Sequence, residues 1–446
     1  MKTPIYDFVS SYVKRDAVRF HMPGHKGHNF LGFEAYDITE IEGADTLYSA
    51  EGIISESEDI ASELFGTAHS FYSTEGSTHT IKAMLALVTS GKKRTKILAS
   101  IEAHKSFINT AAILDADVEW IYSNCASHVC SACVQADEVD EALQRSPDAA
   151  AVYITSPDYL GGMCDVREIS RVCHGYGVPL LVDNAHGAYL KFLSPSSHPI
   201  LLGADMCCDS AHKTLPVLTG GAYLHISKSA PREYLVSARS TLSVFASTSP
   251  SYLILQSLDL CNKYLSCDYE KRLADTVKEI EAVKKKLTEA GIAVKESEPL
   301  KIVIDAKKIG YSGTELASYL SENNIEAEFS DDEYLVLMAT PENDRADFVR
   351  LYDALVALEI RPSIKEEDKL FYESEKPKVA VSIREAVFSR RELIPVEDSV
   401  GRVCATPTVS CPPAVPIVVS GEVITKEAVT LLKKYRIDKI EVIIKE

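Results

Sequence analysis

Between about residue 70 and residue 225 the chain alternates short apolar runs with amphipathic stretches. The runs are KILAS (96–100), VEWIY (118–122), AAVYIT (150–155), PLLVD (179–183), DMCCDS (205–210) and GAYLHI (221–226). Their length suits strands buried on both faces, and stretches such as DVREISRVCHGYG (165–177) read as helices between them. This alternation predicts an α/β fold with a mostly parallel sheet and helices on both sides. Ligands of such sheets bind outside the carboxyl ends of the strands. The residues just after each run are therefore the first candidates for function.

Beyond residue 255 the pattern changes. A helix begins near Asp268, with Leu273, Val277, Ile280 and Leu287 on one face. LKIVID (300–305), a helix near 313–322 and EYLVLM (333–338) then predict a smaller α+β domain. The charged stretch SIKEEDKLFYESEKPK (363–378) reads as a link to a last α+β domain, in which SIREAVFS is a helix and KIEVIIKE a closing strand. The expected organisation is an arm over 1–30, a large domain over 31–255, a small domain over 256–365 and a C-terminal domain over 366–446.

Composition narrows the function classes. With 446 residues, 46% hydrophobic and 25% charged, the chain has the make-up of a soluble globular protein with a large core. No apolar run is long enough to span a bilayer, and the first residues lack the features of a signal peptide, so a cytoplasmic setting is expected. A net charge of −18 disfavours nucleic acid and anionic membranes as partners and would concentrate a cationic small molecule. The 11 cysteines predict free thiols, not disulfides. Cys125, Cys130 and Cys133 cluster without a second CxxC pair, so no metal site is predicted. Adjacent Cys207 and Cys208 point to opposite faces of a strand and suit packing.

Four features follow strand ends or open a helix: Lys213 after DMCCDS, Asp183 closing PLLVD, EGSTHTIKAML (75–85), and EAHKS (102–106) after KILAS. Singly, each has an ordinary structural reading: a solvated lysine, a helix cap, a helix N-terminus, a structural histidine. Jointly they match the needs of one cofactor. Pyridoxal 5'-phosphate needs a lysine for its covalent link, a carboxylate at its pyridine nitrogen and a phosphate cradle such as a helix N-terminus. An aromatic ring can cover its open face.

The order of these features resembles the fold-type I pyridoxal phosphate enzymes, the aspartate aminotransferase-like group. More narrowly, the chain resembles the Orn/Lys/Arg decarboxylase family. The matching stretches are RFHMPGHKG (19–27), EGST (75–78), EAHKS (102–106), VDNAHGAY (182–189), SAHKTLP (210–216) and STSPSY (247–252). SIREAVFSRRELIPVEDSVGRVCA and CPPAVPIVVSGEVI are similar to that family's C-terminal domain. The resemblance runs from about residue 4 to the end. Two departures stand out. The chain starts almost at PIYDFVSSY, so it is expected to be a short form without the receiver-like domain of the large members. His186 stands where those members carry tryptophan, which bears on the substrate pocket.

The resemblance implies roles. Lys213 would carry the cofactor, with Asp183 at the ring nitrogen, Ala185 on one ring face and His104 stacked on the other. Gly76, Ser77 and Thr78 would hold the phosphate, with contacts from Ser210 and His212; His186 would also line the cofactor. Thr248 and Ser249 would reach the phosphate of a neighbouring subunit in a homodimer or higher homo-oligomer. Glu422 would read the distal cation of a basic amino acid, although a carboxylate after a glycine is by itself more simply a surface group. His25 and Lys26, between glycines, read as a turn. The expected activity is decarboxylation of arginine, lysine or ornithine. The alternatives are another fold-type I reaction such as transamination, or pyridoxal phosphate binding without turnover.

Overall fold

The structure is a computed structural model that describes residues 1–91, 95–123, 128–131, 133–364, 377–407 and 414–444. They group into two compact units: Met1–Gly91, Ala150–Val152 and Val166–Arg272 in the first, and Lys92–Ala149, Tyr153–Asp165 and Leu273–Glu446 in the second. Seven strands make up the alternating region: β1 (His69–Ser73), β2 (Lys96–Ser100), β3 (Asp117–Ile121), β4 (Ala151–Thr155), β5 (Leu180–Asp183), β6 (Met206–Asp209) and β7 (Ala222–Ile226).

In the first unit the strand order is β1-β7-β6-β5, followed by the opening residues of β4. β5 and β6 run parallel, with Val182 opposite Cys207. β7 is antiparallel to both β6 and β1. Every residue of β5, β6 and β7 is buried. That burial on both faces is why these strands are written as continuous apolar runs. Cys207 and Cys208 both have no exposed surface, and burial pushes both thiols well above their ordinary range. β1 carries no such signal, because its sequence is HSFYS. Its buried serines are satisfied instead by hydrogen bonds: Ser70 Oγ pairs with Thr67 and with His225 Nδ1, each at 2.8 Å.

The second unit holds the order β4-β2-β3, with β2 and β3 parallel. It also holds a four-stranded antiparallel sheet of order β10-β11-β9-β8, made of β8 (Val294–Lys295), β9 (Lys301–Asp305), β10 (Phe329–Ser330) and β11 (Tyr334–Met338). A third sheet, β12-β14-β13, is built from β12 (Arg391–Pro395), β13 (Cys404–Thr406) and β14 (Lys439–Ile443). Val396, Cys404, Val418, Ile424, Leu432 and Ile440 form a core around that last sheet. A buried polar clasp joins its last helix (Lys426–Lys434) to the middle sheet: His128 Nε2 lies 2.9 Å from Asp331 Oδ2 and 2.8 Å from the hydroxyl of Tyr435. The expected charged link lies mostly outside the described residues, as do Cys125 and Cys411. The described cysteines are free thiols. Among the described residues no helix is long and apolar enough to cross a membrane.

Candidate active site

In the first unit the strand ends deliver a compact set of polar groups. β5 closes on Asp183, which is 3% exposed. Its Oδ1 accepts from the Ala185 N–H at 3.2 Å and faces the Cys208 thiol at 3.4 Å. The loop continues to His186, whose Nε2 lies 3.0 Å from Lys213 Nζ. Lys213 is half-buried and sits one step past β6, in a single helical turn (Ala211–Thr214). Two backbone bonds hold that turn, from Lys213 N–H to Ser210 O and from Leu215 N–H to Ala211 O. His212 Nδ1 bonds the Gly221 carbonyl at 3.0 Å and so pins the lysine turn to the Gly220–Gly221 turn. Gly220 has φ +100°, and a Cβ there would stand 2.9 Å from the Thr74 carbonyl. The glycine pair after Lys213 is thus a close backbone approach that no other residue makes without strain.

The helix Gly76–Thr89 begins beside this turn. Ser210 Oγ donates to Ser77 Oγ at 2.9 Å, which brings the two hydroxyl-bearing loops together. Gly76 has φ +73° and its N–H bonds Gly220 O at 2.7 Å. A Cβ at Gly76 would meet nothing within 4 Å among the described residues, so the glycine serves its left-handed backbone. Glu75, at the N-cap, makes no side-chain cap. Its carboxylate accepts instead from Ser247 N–H at 2.8 Å. Thr248 and Ser249 follow on that loop, and both are exposed.

The second unit places His104 and Glu422. His104 caps the helix Lys105–Leu114, its Nδ1 accepting from Ser106 N–H at 3.1 Å. That bond puts the proton of the neutral ring on Nε2. The C-terminal part of the chain grips this helix at both ends. Lys105 N–H donates to Ala414 O at 3.0 Å, and Arg384 Nη1 donates to Ala112 O and Ile113 O at 3.0 Å, a cation at the helix's negative end. Glu422 is 4% exposed, so it is not a surface carboxylate. Its Oε2 accepts from Val419 N–H at 2.8 Å, and burial pushes its carboxyl up to about 7. Burial, and then the charge of Glu422, push the Tyr122 hydroxyl up as well.

Sequence reasoning passed over two buried acids next to these positions. Glu102 is 2% exposed. Burial first, and then the charge of Asp158, push it up to about 7. The second is Asp209, the last residue of β6. A lone carboxylate in an apolar run carries no periodic signal; its only hint is position, two or four residues from a singled-out side chain. RFHMPGHKG forms turns, with Lys26 N–H bonded to Pro23 O and His25 Nε2 3.1 Å from Asp37.

The chain as a whole is similar to known proteins. The family model described as Orn/Lys/Arg decarboxylase, major domain, matches residues 3–304, and that of the C-terminal domain matches residues 366–437. An arginine decarboxylase of Bacillus subtilis is 31% identical over 467 residues, covering 97% of this chain and 93% of that protein. An arginine decarboxylase of Halalkalibacterium halodurans is 30% identical, covering 97% and 93%. The crystal structure of the Francisella novicida lysine decarboxylase LdcF superposes with a TM-score of 0.82 at 17% identity, covering 99% of this chain and 81% of that one. It shares the fold-type I architecture. Matched in both its major and its C-terminal domain, and in whole-length relatives, the chain belongs to the Orn/Lys/Arg decarboxylase family.

Proposed function

We propose that this protein removes the α-carboxylate of a basic amino acid as carbon dioxide, with pyridoxal 5'-phosphate as its cofactor. The observation that carries the reading is the meeting of an amine, a buried carboxylate and a hydroxyl-lined helix start in one unit. Lys213 contacts His186, Asp183 closes the neighbouring strand, and Ser210 joins Ser77 beside Gly76. These residues fit the cofactor. Gly76, Ser77 and Thr78 at the start of a 14-residue helix, with Ser210 and His212, would hold its phosphate, where amide N–H groups and the helix dipole favour an anion. Asp183 would keep a proton on the ring nitrogen, and Ala185 would pack on one ring face. When bound, the cofactor supplies a covalent hold on the substrate amine and a sink for the electron pair left by carbon dioxide.

The chain's own groups then have separable tasks. Lys213 Nζ must lose a proton to act as a nucleophile, and His186 Nε2 at 3.0 Å is placed to accept it. The roles of His104 at the other ring face and of Glu422 at the distal cation rest on the motif resemblance. So does that of Thr248 towards the phosphate of a partner subunit. Val18, Phe20, Phe30 and Leu31, each more than three-quarters exposed, make the N-terminal segment an apolar surface that supports a homo-oligomer. The net charge of −18 favours a cationic substrate.

Purified protein with cofactor, incubated separately with arginine, lysine and ornithine, is expected to release carbon dioxide and agmatine, cadaverine or putrescine from one of them. Arginine comes first, since the relatives from Bacillus subtilis and Halalkalibacterium halodurans are named for it. A keto acid in place of an amine would mark a transaminase, and no product from any of the three would mark a binding protein.

Glu422→Gln is expected to raise KM for the substrate by about tenfold or more and to lower kcat far less, because a distal cation is bound alike in ground and transition states. The wild type adds a pH signature. Only the ionised carboxylate attracts a cation, so kcat/KM should fall by about tenfold per unit as pH drops below about 7, where Glu422 takes up its proton. The Gln variant should lack that limb. Equal KM values in the two proteins would remove Glu422 from the substrate site.

A further inference from the structure

Behind the strand ends that carry Asp183 and Lys213 lies a buried polar cluster that the proposed chemistry does not touch. At its centre is Asp209, with no exposed surface. Its Oδ2 accepts from His198 Nε2 at 3.0 Å and from His225 Nε2 at 3.2 Å. Its Oδ1 accepts from Asn184 Nδ2 at 2.7 Å, and Cys207 Sγ lies 3.9 Å from the same oxygen. His225 Nδ1 in turn bonds Ser70 Oγ at 2.8 Å. Asn184, His198 and His225 are as fully buried as Asp209. One carboxylate thus ties the exit loop of β5, the end of β6, the penultimate residue of β7 (His225) and the N-cap of the helix Pro199–Leu202.

A buried carboxylate is costly unless donors surround it. Burial alone would push Asp209 up. The two histidines outweigh it, and hold the carboxyl well below the ordinary range. It is therefore an anion met by three N–H donors, a set of charge-assisted bonds that resist displacement. His198, Cys207 and Asp209 also bring one possible metal-ligating atom each to within 4.8 Å of one another. The 3.0 and 3.2 Å separations are ordinary N–H···O lengths, and both Asp209 oxygens already take donors. Hydrogen bonding alone accounts for them.

We propose that Asp209 is a positioning residue: through Asn184 it sets the loop that carries Asp183 and His186, and through its own backbone it sets the turn that carries Lys213. Asn184 directly follows Asp183, and Lys213 lies four residues after Asp209. Ring carboxylate and reactive amine are thereby referenced to one buried charge. This inference rests on the cofactor reading above. A displacement of about 1 Å at reacting groups can lower a rate by about 10²-fold, which is the leverage such an anchor has.

The test is Asp209→Asn. An amide offers one acceptor oxygen, so at least one of the three donors faces an NH2 group. The variant is expected to bind pyridoxal phosphate about 10-fold more weakly and to lower kcat by roughly 10- to 100-fold, as removal of an outer orienting partner does, with KM changed less than about twofold. The pH at which the visible absorbance of the lysine-bound cofactor titrates should move, which a role in packing alone would not cause. If Asp209→Asn does not fold, Asn184→Leu cuts only the link to the Asp183 loop and should shift cofactor affinity and the spectral titration in the same direction. A folded variant with wild-type affinity, titration and kcat overturns the proposal. So does stoichiometric zinc in the wild type that is lost from Asp209→Asn. A wild type that shows no visible band with the cofactor defeats the cofactor reading itself, whereas a normal wild type with silent variants defeats only this inference.

Discussion

Replacing Lys213 with alanine should leave a folded protein that loses pyridoxal phosphate on dialysis and turns over about 10³ to 10⁴ times more slowly. The expectation follows from the place of the side chain. Lys213 is the amine on the turn that Ser210, His212 and Gly221 hold at the end of β6, with His186 3.0 Å from its Nζ. No neighbour on that turn can replace a primary amine, because the adjacent residues are His212 and Thr214. Alanine removes both the covalent hold and a group able to move protons, and positioned proton transfer alone contributes about 10² to 10⁴-fold. The fold should survive, since the lysine is half-buried and the turn is held by its backbone. Borohydride reduction of the loaded wild type, followed by peptide mapping, should place the pyridoxyl label on Lys213. A label on another lysine would overturn the assignment.

Asp183→Asn should retain the cofactor yet lose about 10² to 10³-fold in kcat, the scale of a preorganised electrostatic group. The amide can still accept the Ala185 N–H bond that the carboxylate accepts at 3.2 Å, so the loop should keep its shape. What it cannot supply is negative charge at a site that is 3% exposed, where little water screens it. The Cys208 thiol facing Asp183 does not substitute. Burial, and then the charges of Asp183 and Asp209, hold it protonated. Steady-state rates and the visible absorbance of the loaded protein check both halves of the expectation. Near-normal turnover would count against Asp183 as the electron-sink partner.

Much of this architecture was legible before any coordinate. Strands covered on both faces are mostly apolar, so β4, β5, β6 and β7 announce themselves as apolar runs broken by few polar residues, Asp183, Asp209 and His225 among them, and the residues after them become candidates by topology alone. The order of helix start, histidine, aspartate and lysine then resembled one family, and the matches to its major and C-terminal domains bear that out. β1 was not legible, because its buried serines are satisfied by partners such as Thr67 and His225 and not by an apolar pattern.

The sequence by itself determined which residue types stand at the strand ends, since local periodicity and turn chemistry depend on near neighbours. Only the tertiary structure decided which of them meet and what surrounds them. Glu422 follows a glycine and reads as a solvated carboxylate, yet the chain covers it and its carboxyl rises to about 7. Arg384 reaches the carbonyl of Ala112 from 272 positions away and steadies the helix that His104 caps. Asp209 looks like one more polar residue closing a strand until His198, His225 and Asn184 close around it. Burial and long-range donors set the charge and orientation of these groups, and a linear pattern carries no record of which distant segment will supply them.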